Sequence, residues 1–590
     1  MSNPFIYRYT IMKKSLLTVI AALLSITLSA QTSATPGDHE FKTSKMLEVF
    51  NAIYKNLDMI YVDTLDAEEV VGTAIDAMLA SLDPYTEYYP EDKAGDLKMM
   101  ISGKYAGIGA LIRQDLHLGT VVVDEPYEGM PASEVGLKKG DIILSIDDST
   151  MIGKPVSYVS SHLRGDAGST FVLKVKRPTE SLLANTTTDY RKIKGKTLRL
   201  KVTRRSIQMP AVTYYGLQDD GIGYLLLSAF TEGCSKDVRR AYLEMHRQGM
   251  KSFVLDLRGN GGGSLQEAVN ILNMFVPKDI TLVKTQGKLK RANSEYRTRV
   301  EPIDTLMPMV VLVNGNSASA SEITSGTLQD LDRAVVLGQR TYGKGLVQLP
   351  NLPLPYNGNL KVTSGKYFIP SGRCIQAINY KRSKDDSLHK GSRYGERLPD
   401  SLTTLFHTAN GRPVRDGGGI APDIEVKADS VPSIAYWLAS TGRDSTEVML
   451  HWEMDYLRRN PQVAPASSFE LSDADYEDFK QAVINSGFRY DRESNKFIDN
   501  LEKLAKFEGY YDDARSEFEA LRKKLSHNLA KDLDYNKTSL RQLLTSDLAT
   551  AYYYQRGAAE SQLRFDKQWQ EAVKLLKDPE RYRQILSPKP

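Results

Sequence analysis

Three serines and one lysine stand where the chain can support nucleophilic chemistry. Ser317, Ser319 and Ser321 alternate with alanine after an apolar run that predicts a strand, and a helical pattern follows them. The first backbone N–H groups of a helix have no partner within it, so a serine at such a turn lies beside donors that can hold an oxyanion. Lys344 lies further on between two glycines. A serine needs a base to remove its proton, and a lysine can serve if burial favours its neutral amine.

These residues also have a purely structural interpretation. The SASAS run can be a small-residue entry into a helix, and Lys344 a solvated turn residue. A Ser-His-Asp site is a further alternative, but the eight histidines stand in no recognisable triad setting. Spacing alone does not choose among the three serines.

The surrounding pattern predicts the elements that position these residues. Residues 205–430 alternate short apolar runs with helical patterns, which favours an α/β core. Residues 97–178 hold short β-rich runs separated by Gly, Asp and Pro, which predicts a compact domain, and residues 179–200 read as a loop or hairpin insertion. Residues 40–95 carry apolar side chains at helical spacing. The chain is thus expected to be a multidomain α/β protein.

The blocks NSASASEI and RAVVLGQRTYGKGLVQ resemble the carboxyl-terminal processing peptidases, also called tail-specific proteases. The resemblance implies that Ser319 is the nucleophile, that Lys344 is the general base and that Gln348 positions the lysine. Ser317 and Ser321 are then expected to make structural hydrogen bonds. The family also implies a crotonase-like α/β protease core with an inserted PDZ domain, and neither a metal nor a cofactor.

The glycine-rich block VLDLRGNGGG, residues 254–263, is similar to a family turn that follows a strand. The resemblance implies that the amide of Gly261 or Gly262 joins the Ala320 amide in an oxyanion hole. A nucleotide-phosphate loop is the alternative, disfavoured because no Gly-Lys-Ser/Thr follows. The blocks KVTSGKYFIPSGRCIQ, GRPVRDGGGIAPDIEV and LDPYTEYY extend the resemblance over roughly residues 40–430.

The β-rich module resembles a PDZ domain through YAGIGALI and PASEVGLKKGDIILSID. In such a domain, successive loop amides capture the terminal carboxylate of a peptide, which adds as a strand to a sheet edge. Arg164 matches a family segment that can contact the active site, and a solvated arginine at a helix end is the alternative. The residues expected to bind the peptide are Gly107, Ile108, Gly109, Ala110 and Leu111.

Composition and the amino-terminal residues limit the class of protein and its cellular compartment. The 590 residues carry a formal net charge of only +4, which argues against a nucleic-acid binder that acts by bulk charge. Residues 1–30 predict a secretory signal, because Lys13 and Lys14 precede an apolar run that ends in Ser29-Ala30. An uncleaved anchor in the inner membrane is the alternative to cleavage and a periplasmic protein. Cysteine occurs only twice, which excludes a disulfide framework and a cysteine-built zinc site.

Residues 431–590 exceed what the family core needs and are mostly helical, apart from a loop at 459–470. They can form an assembly arm or adaptor platform, or a layer packed on the core. The sequence therefore predicts an exported serine endopeptidase with a Ser/Lys dyad. Its expected partners are proteins with accessible, apolar carboxyl ends, an adaptor protein and further copies of itself. A non-catalytic PDZ scaffold or chaperone is the alternative from another class.

Overall fold

The computed structural model describes residues 36–95, 97, 99, 103–183, 188–377, 380, 399–427, 430–440, 442–525 and 528–588. The predicted export signal, residues 1–30, lies outside this part of the chain. The chain divides into two compact units, Met1–Ser81 and Leu82–Pro590. None of the helices in the described ranges combines the length and the apolar character that crossing a membrane requires.

The first unit contributes two helices, α1 at Pro36–Ile60 and α2 at Ala67–Ala80. The side chain of Asp66 begins α2 by accepting hydrogen bonds from the amides of Glu68 (2.8 Å) and Glu69 (3.1 Å). Helix α2 ends at Ala80, just before Leu82-Asp83-Pro84, because Pro84 disfavours helix at the residue before it. The strand Glu87–Tyr89 then lies inside the 40–95 span that was expected to be helical.

The β-rich module begins the second unit with a sheet in the order β3-β4-β5-β7-β8, in which β3 is an edge strand. The predicted insertion at 179–200 contains the β7–β8 turn, and the sheet extends beyond the expected end at residue 178. It does so because Leu198, Leu200 and Val202 of β8 pack on the module's core. The elements are β2 Lys104–Gly107, β3 Ala110–Asp115, β4 Thr120–Pro126, α3 Pro131–Glu134, β5 Ile142–Ile146, β6 Ser149–Thr150, α4 Val156–Leu163, β7 Thr170–Pro178, β8 Gly195–Thr203 and β9 Arg205–Gln208.

The central sheet has the strand order β10-β11-β12-β15-β16-β21, and every pair after β10–β11 is parallel. Helices α5, α6 and α7 connect or follow its strands, which is the predicted α/β alternation. The elements are β10 Val212–Gln218, β11 Ile222–Leu227, α5 Cys234–Arg247, β12 Ser252–Asp256, α6 Leu265–Leu272, β15 Met309–Val313, α7 Ala320–Asp330, β16 Val335–Gly338 and β21 Ile424–Glu425.

A second sheet brings the lysine loop and the LDPYTEYY block to one shared strand, β18. Its order is β1-β18-β13-β14, with β17 also paired to β18. The strand β1 at Glu87–Tyr89 thus pairs with the same strand as β17, which begins two residues after Lys344. The remaining members are β13 Thr281–Gly287, β14 Ser294–Arg297, β17 Leu346–Pro353 and β18 Asn359–Phe368, and a separate hairpin contains β19 Leu405–His407 and β20 Pro413–Arg415.

The carboxyl-terminal region is helical, as its sequence predicts. Trp569 and Tyr582 pack on one face of the central sheet with Val254 and Val310, while α5 to α7 pack on the other face. The last helices are therefore a layer on the core. The region contains α8 Ser433–Ala439, α9 Val448–Arg459, α10 Asp473–Asn485, α11 Glu493–Glu508, α12 Arg515–Lys524, α13 Leu529–Tyr535, α14 Lys537–Leu563, α15 Lys567–Leu576 and α16 Pro579–Leu586.

Candidate active site

Ser319 lies at the strand-to-helix turn between β15 and α7. Its backbone has φ 55° and ψ −113°, a conformation that is costly for any residue with a Cβ and is typical of strained functional positions. The neighbouring hydroxyls are engaged, because Ser317 donates to the Leu257 carbonyl (2.7 Å) and Ser321 donates to the Asn260 carbonyl (2.8 Å). Both of those serines are fully buried, whereas Ser319 is partly exposed. The geometry therefore distinguishes Ser319, which spacing alone did not.

The glycine-rich turn packs directly against the serine turn. A Cβ on Gly262, whose φ is 100°, would lie 2.7 Å from the Ala318 carbonyl oxygen and 2.8 Å from the Ser319 Cβ. The Ala320 amide begins α7 and has no hydrogen-bond partner within the described residues. The Gly262 amide, in contrast, donates to the Asn260 side chain at 2.9 Å and is not free. Of the two expected oxyanion donors on this turn, Gly261 alone keeps an uncommitted amide among the residues described here.

Lys344 lies on a tight loop held from both sides. The Gly343 carbonyl accepts from the Ala377 amide (2.9 Å), and the Gly345 amide donates to the Gln376 side chain (2.7 Å). Burial lowers the pKa of Lys344, and the positive charge of Lys361 lowers it further. A lowered pKa increases the neutral fraction of the amine, which a general base requires.

The sequence analysis missed Glu322, which links the two loops. This fully buried carboxylate accepts hydrogen bonds from the amides of Ser319 (2.9 Å), Gly343 (2.7 Å) and Lys344 (2.9 Å), and from the Thr341 hydroxyl (2.5 Å). Burial raises the pKa of Glu322 to about 7 although these four bonds oppose the rise. Its position three residues after Ser319, at the third residue of α7, was the signal that could have found it.

Tyr367 on β18 joins the same loops at their carbonyl groups. Its hydroxyl lies 3.2 Å from the Ser319 carbonyl oxygen and also contacts the Lys344 carbonyl oxygen. The ring is almost fully buried. Glu322 and Tyr367 therefore fix the backbones of Ser319 and Lys344 relative to each other through amides and carbonyls respectively.

Other predicted residues lie elsewhere in this geometry. The Gln348 amide donates to the Thr363 hydroxyl at 3.4 Å, so its expected part in positioning Lys344 stays a prediction. The Arg164 guanidinium lies over the Tyr105 ring at 5.5 Å, a contact within the β-rich module. The imidazole of His451 pairs with Asp115 at 2.8 Å, which commits that histidine to a contact away from the serine turn. The thiols of Cys234 and Cys374 are both free.

The expected peptide-binding loop connects β2 to the edge strand β3. Gly109 has φ 69° and approaches Met130 so closely that a Cβ would lie 2.5 Å from the Met130 Cβ. In the described part of the chain the amides of Ile108 and Gly109 have no hydrogen-bond partner, while their carbonyls accept from Ala132 and Tyr127 (both 2.9 Å). The other three predicted residues are Gly107 at the end of β2, Ala110 at the start of β3 and Leu111, which is 46% exposed.

Comparison with known proteins identifies three regions of the chain. Residues 221–382 match the model "Peptidase family S41", residues 122–177 match "PDZ domain", and residues 444–576 match "Probable PDZ-protease, C-terminal helical domain". The first region contains both the serine turn and the lysine loop.

Curated relatives cover a little under two thirds of the chain. The chain is 32% identical over 370 residues to a carboxy-terminal-processing protease of Bartonella bacilliformis, covering 62% of this chain and 81% of the relative. It is 30% identical over 353 residues to the carboxy-terminal processing protease CtpB of Bacillus subtilis, covering 58% of this chain and 69% of the relative. A solved photosystem II D1 C-terminal processing protease is 25% identical, with 66% of this chain and 91% of that chain covered and a TM-score of 0.34.

The protein is thus a peptidase that carries a PDZ domain and a helical carboxyl-terminal domain. It belongs to peptidase family S41, among the carboxy-terminal-processing proteases.

Proposed function

We propose that the protein is a serine endopeptidase in which Ser319 and Lys344 form the catalytic dyad. The observation that carries this proposal is the buried Glu322 carboxylate, which binds the backbones of both loops at once. A lowered Lys344 pKa and the strained Ser319 backbone further support it. Each feature matches a requirement of nucleophilic catalysis by a serine.

The reaction proceeds through an acyl-enzyme. Neutral Lys344 takes the proton from the Ser319 hydroxyl while the oxygen attacks the peptide carbonyl. The electron pair of that carbonyl moves onto its oxygen, where the Ala320 amide and the Gly261 region stabilise it. When the intermediate collapses, the C–N bond breaks and Lys344 passes the proton to the leaving nitrogen. Water then attacks the acyl-enzyme, with Lys344 again as base.

Single substitutions test the dyad. Ser319→Ala and Lys344→Ala should each reduce cleavage of an unfolded protein with an apolar carboxyl end by more than about 1000-fold, as expected for a nucleophile and its base. Lys366→Ala is the matched control, because this exposed lysine lies on the neighbouring strand β18. Wild-type rates for either dyad variant would refute the mechanism, and intact binding without any cleavage by the wild type would favour the scaffold alternative.

We also infer that the PDZ domain selects substrates by their carboxyl-terminal tails. The unpartnered amides of Ile108 and Gly109 and the free edge of β3 support this inference. Two peptides should be compared, identical except for a carboxylate or an amide at the end. The carboxylate peptide should have the lower KM, and Gly109→Val should abolish that difference because its side chain would overlap Met130.

The proposal also covers the cellular location, the core fold and the assembly of the enzyme. We propose that it is exported to the periplasm, that its core is crotonase-like, and that it forms homo-oligomers and meets an adaptor protein. The amino-terminal pattern supports export, and the largely parallel central sheet supports a crotonase-like core. Sequencing the amino terminus of protein from fractionated cells tests export, and light scattering of the purified chain tests assembly.

A further inference from the structure

The LDPYTEYY block lies against the proposed general base. The ammonium nitrogen of Lys344 lies 4.4 Å from the centroid of the Tyr85 ring, within the range of a cation–π contact. This tyrosine precedes β1, which pairs with β18 beside the lysine loop. The block therefore places an aromatic face directly on a reacting atom of the proposed mechanism.

The backbone around Tyr85 is held by its own hydrogen bonds. The buried Asp83 carboxylate accepts from the amides of Tyr85 and Thr86, both at 2.9 Å. The Thr86 hydroxyl in turn accepts from the Thr363 amide of β18 at 3.2 Å. The ring is thus presented by a turn that is fastened to the same strand as the lysine loop.

An aromatic face distinguishes the two protonation states of a lysine. The ring quadrupole attracts an ammonium but offers little to a neutral amine. In the proposed reaction the Ser319 O–H bond breaks and an N–H bond forms on Lys344, so an ammonium develops as the oxyanion does. An interaction that strengthens during the step lowers its barrier. The charges of Glu322, Asp83 and Glu87 raise the Lys344 pKa, against burial and the Lys361 charge, which lower it. The ring would act in the same direction as the three carboxylates.

We propose that Tyr85 is a positioning residue for Lys344. The face of the Tyr85 ring holds the Lys344 nitrogen in place and stabilises the ammonium that forms during proton transfer. The proposal rests on the proposed Ser/Lys mechanism. It assigns a role in catalysis to the DPYT turn, which lies outside both the serine and the lysine blocks. A phenyl ring should suffice, because the attraction comes from the ring face.

The test compares three substitutions in the full chain. Tyr85→Phe keeps the ring, Tyr85→Leu keeps apolar bulk without a ring, and Tyr511→Leu removes a ring that lies the same 4.4 Å from another lysine, Lys506. For each, kcat and KM are measured from pH 5 to 10. The Lys344 pKa is read separately from the 13C shift of its labelled ε-carbon, assigned by its absence in Lys344→Ala.

Tyr85→Phe and Tyr511→Leu should remain within about twofold of wild type. Tyr85→Leu should lower the plateau kcat, reached at pH above the Lys344 pKa, about 2- to 30-fold and move the Lys344 pKa down by about 0.4 to 1.5, the range expected for loss of one cation–π contact. The acid limb of the rate profile should move to lower pH by the same amount, with KM little changed. A role in packing alone would lower stability without moving the pKa.

Equal pKa and kcat in the Leu and Phe variants would overturn the proposal. If Tyr85→Leu does not fold, pentafluorophenylalanine at position 85 replaces it, because its shape is nearly that of Phe while its quadrupole is reversed; an unchanged pKa there also overturns the proposal. Wild-type cleavage by Lys344→Ala would instead refute the dyad itself, so the two failures are distinguishable.

Discussion

Replacing Glu322 with glutamine tests how the two catalytic loops are held together. The carboxylate accepts four hydrogen bonds, with Ser319 and Lys344 sharing one oxygen. Glutamine keeps a single acceptor oxygen, so its NH2 group must face two donors. A buried donor left without a partner costs about 1–3 kcal/mol, so two give roughly 2–6 kcal/mol before the loops relax. Relaxation moves Ser319 away from Lys344, and a displacement of about 1 Å costs on the order of 100-fold in rate.

The dependence on pH gives this prediction a second, independent measure. Burial raises the pKa of Glu322 to about 7, so the folded state binds the proton more tightly than the unfolded state does. This group therefore makes the fold less stable as pH rises from about 4.5 to 7, by on the order of 3 kcal/mol. Glutamine does not titrate. The stability difference between wild type and Glu322→Gln should be largest near pH 5 and should shrink by about that amount at pH 8.

Denaturant unfolding at pH 5 and 8, with kcat on an unfolded substrate, measures both effects. Glu267→Gln is the matched control, because this buried glutamate accepts from the amides of Gly233 (3.1 Å) and Ser235 (2.9 Å) and from neither catalytic loop. The control should lose stability but keep kcat within about threefold, as expected for a change outside the reacting groups. Wild-type kcat in Glu322→Gln, with a stability difference that is the same at both pH values, would refute the reasoning.

Three further predictions follow from single contacts. Gly262→Ala should lower kcat on the order of 100-fold, because the new Cβ would push on the Ser319 turn. Gly315→Ala is the control and should leave kcat unchanged, because a Cβ there would meet only one atom, at 4.0 Å. Steady-state kinetics measures both effects. Trp569→Ala should cost about 3–5 kcal/mol of unfolding free energy in denaturant melts, because the ring packs on the central sheet. Glu453→Gln should gain stability relative to wild type as pH rises from 5 to 9, because burial raises the pKa of Glu453 in the folded state although the Lys139 charge opposes the rise. Equal differences in melting temperature at both pH values would contradict this.

Local patterns predicted the alternating core and the helical tail, because those signals are periodic along the chain. The site was predicted in part. Ser319 and Lys344 came from the resemblance, whereas Glu322 had no periodic signal and gains its meaning only when a loop more than twenty residues later folds onto it. The choice between the Gly261 and Gly262 amides, which the resemblance left open, depends on the Asn260 side chain, and sequence spacing does not orient that side chain. Sequence patterns alone therefore did not predict the contacts between segments that are distant in sequence.

The PDZ domain and the helical domain are joined at the strand that would receive a peptide. Arg113 on β3 pairs with Glu447 at 2.6 Å, and Asp115 at the end of β3 pairs with His451 at 2.8 Å, all four side chains being largely buried. Removing Glu447 would leave the Arg113 charge largely buried without its partner, which costs several kcal/mol. Separation of the two domains would expose both pairs together. The edge strand that we propose to receive a peptide is therefore tied to the helical domain whose last helices cover the central sheet, so we expect a bound tail to be held at a fixed place on the protein.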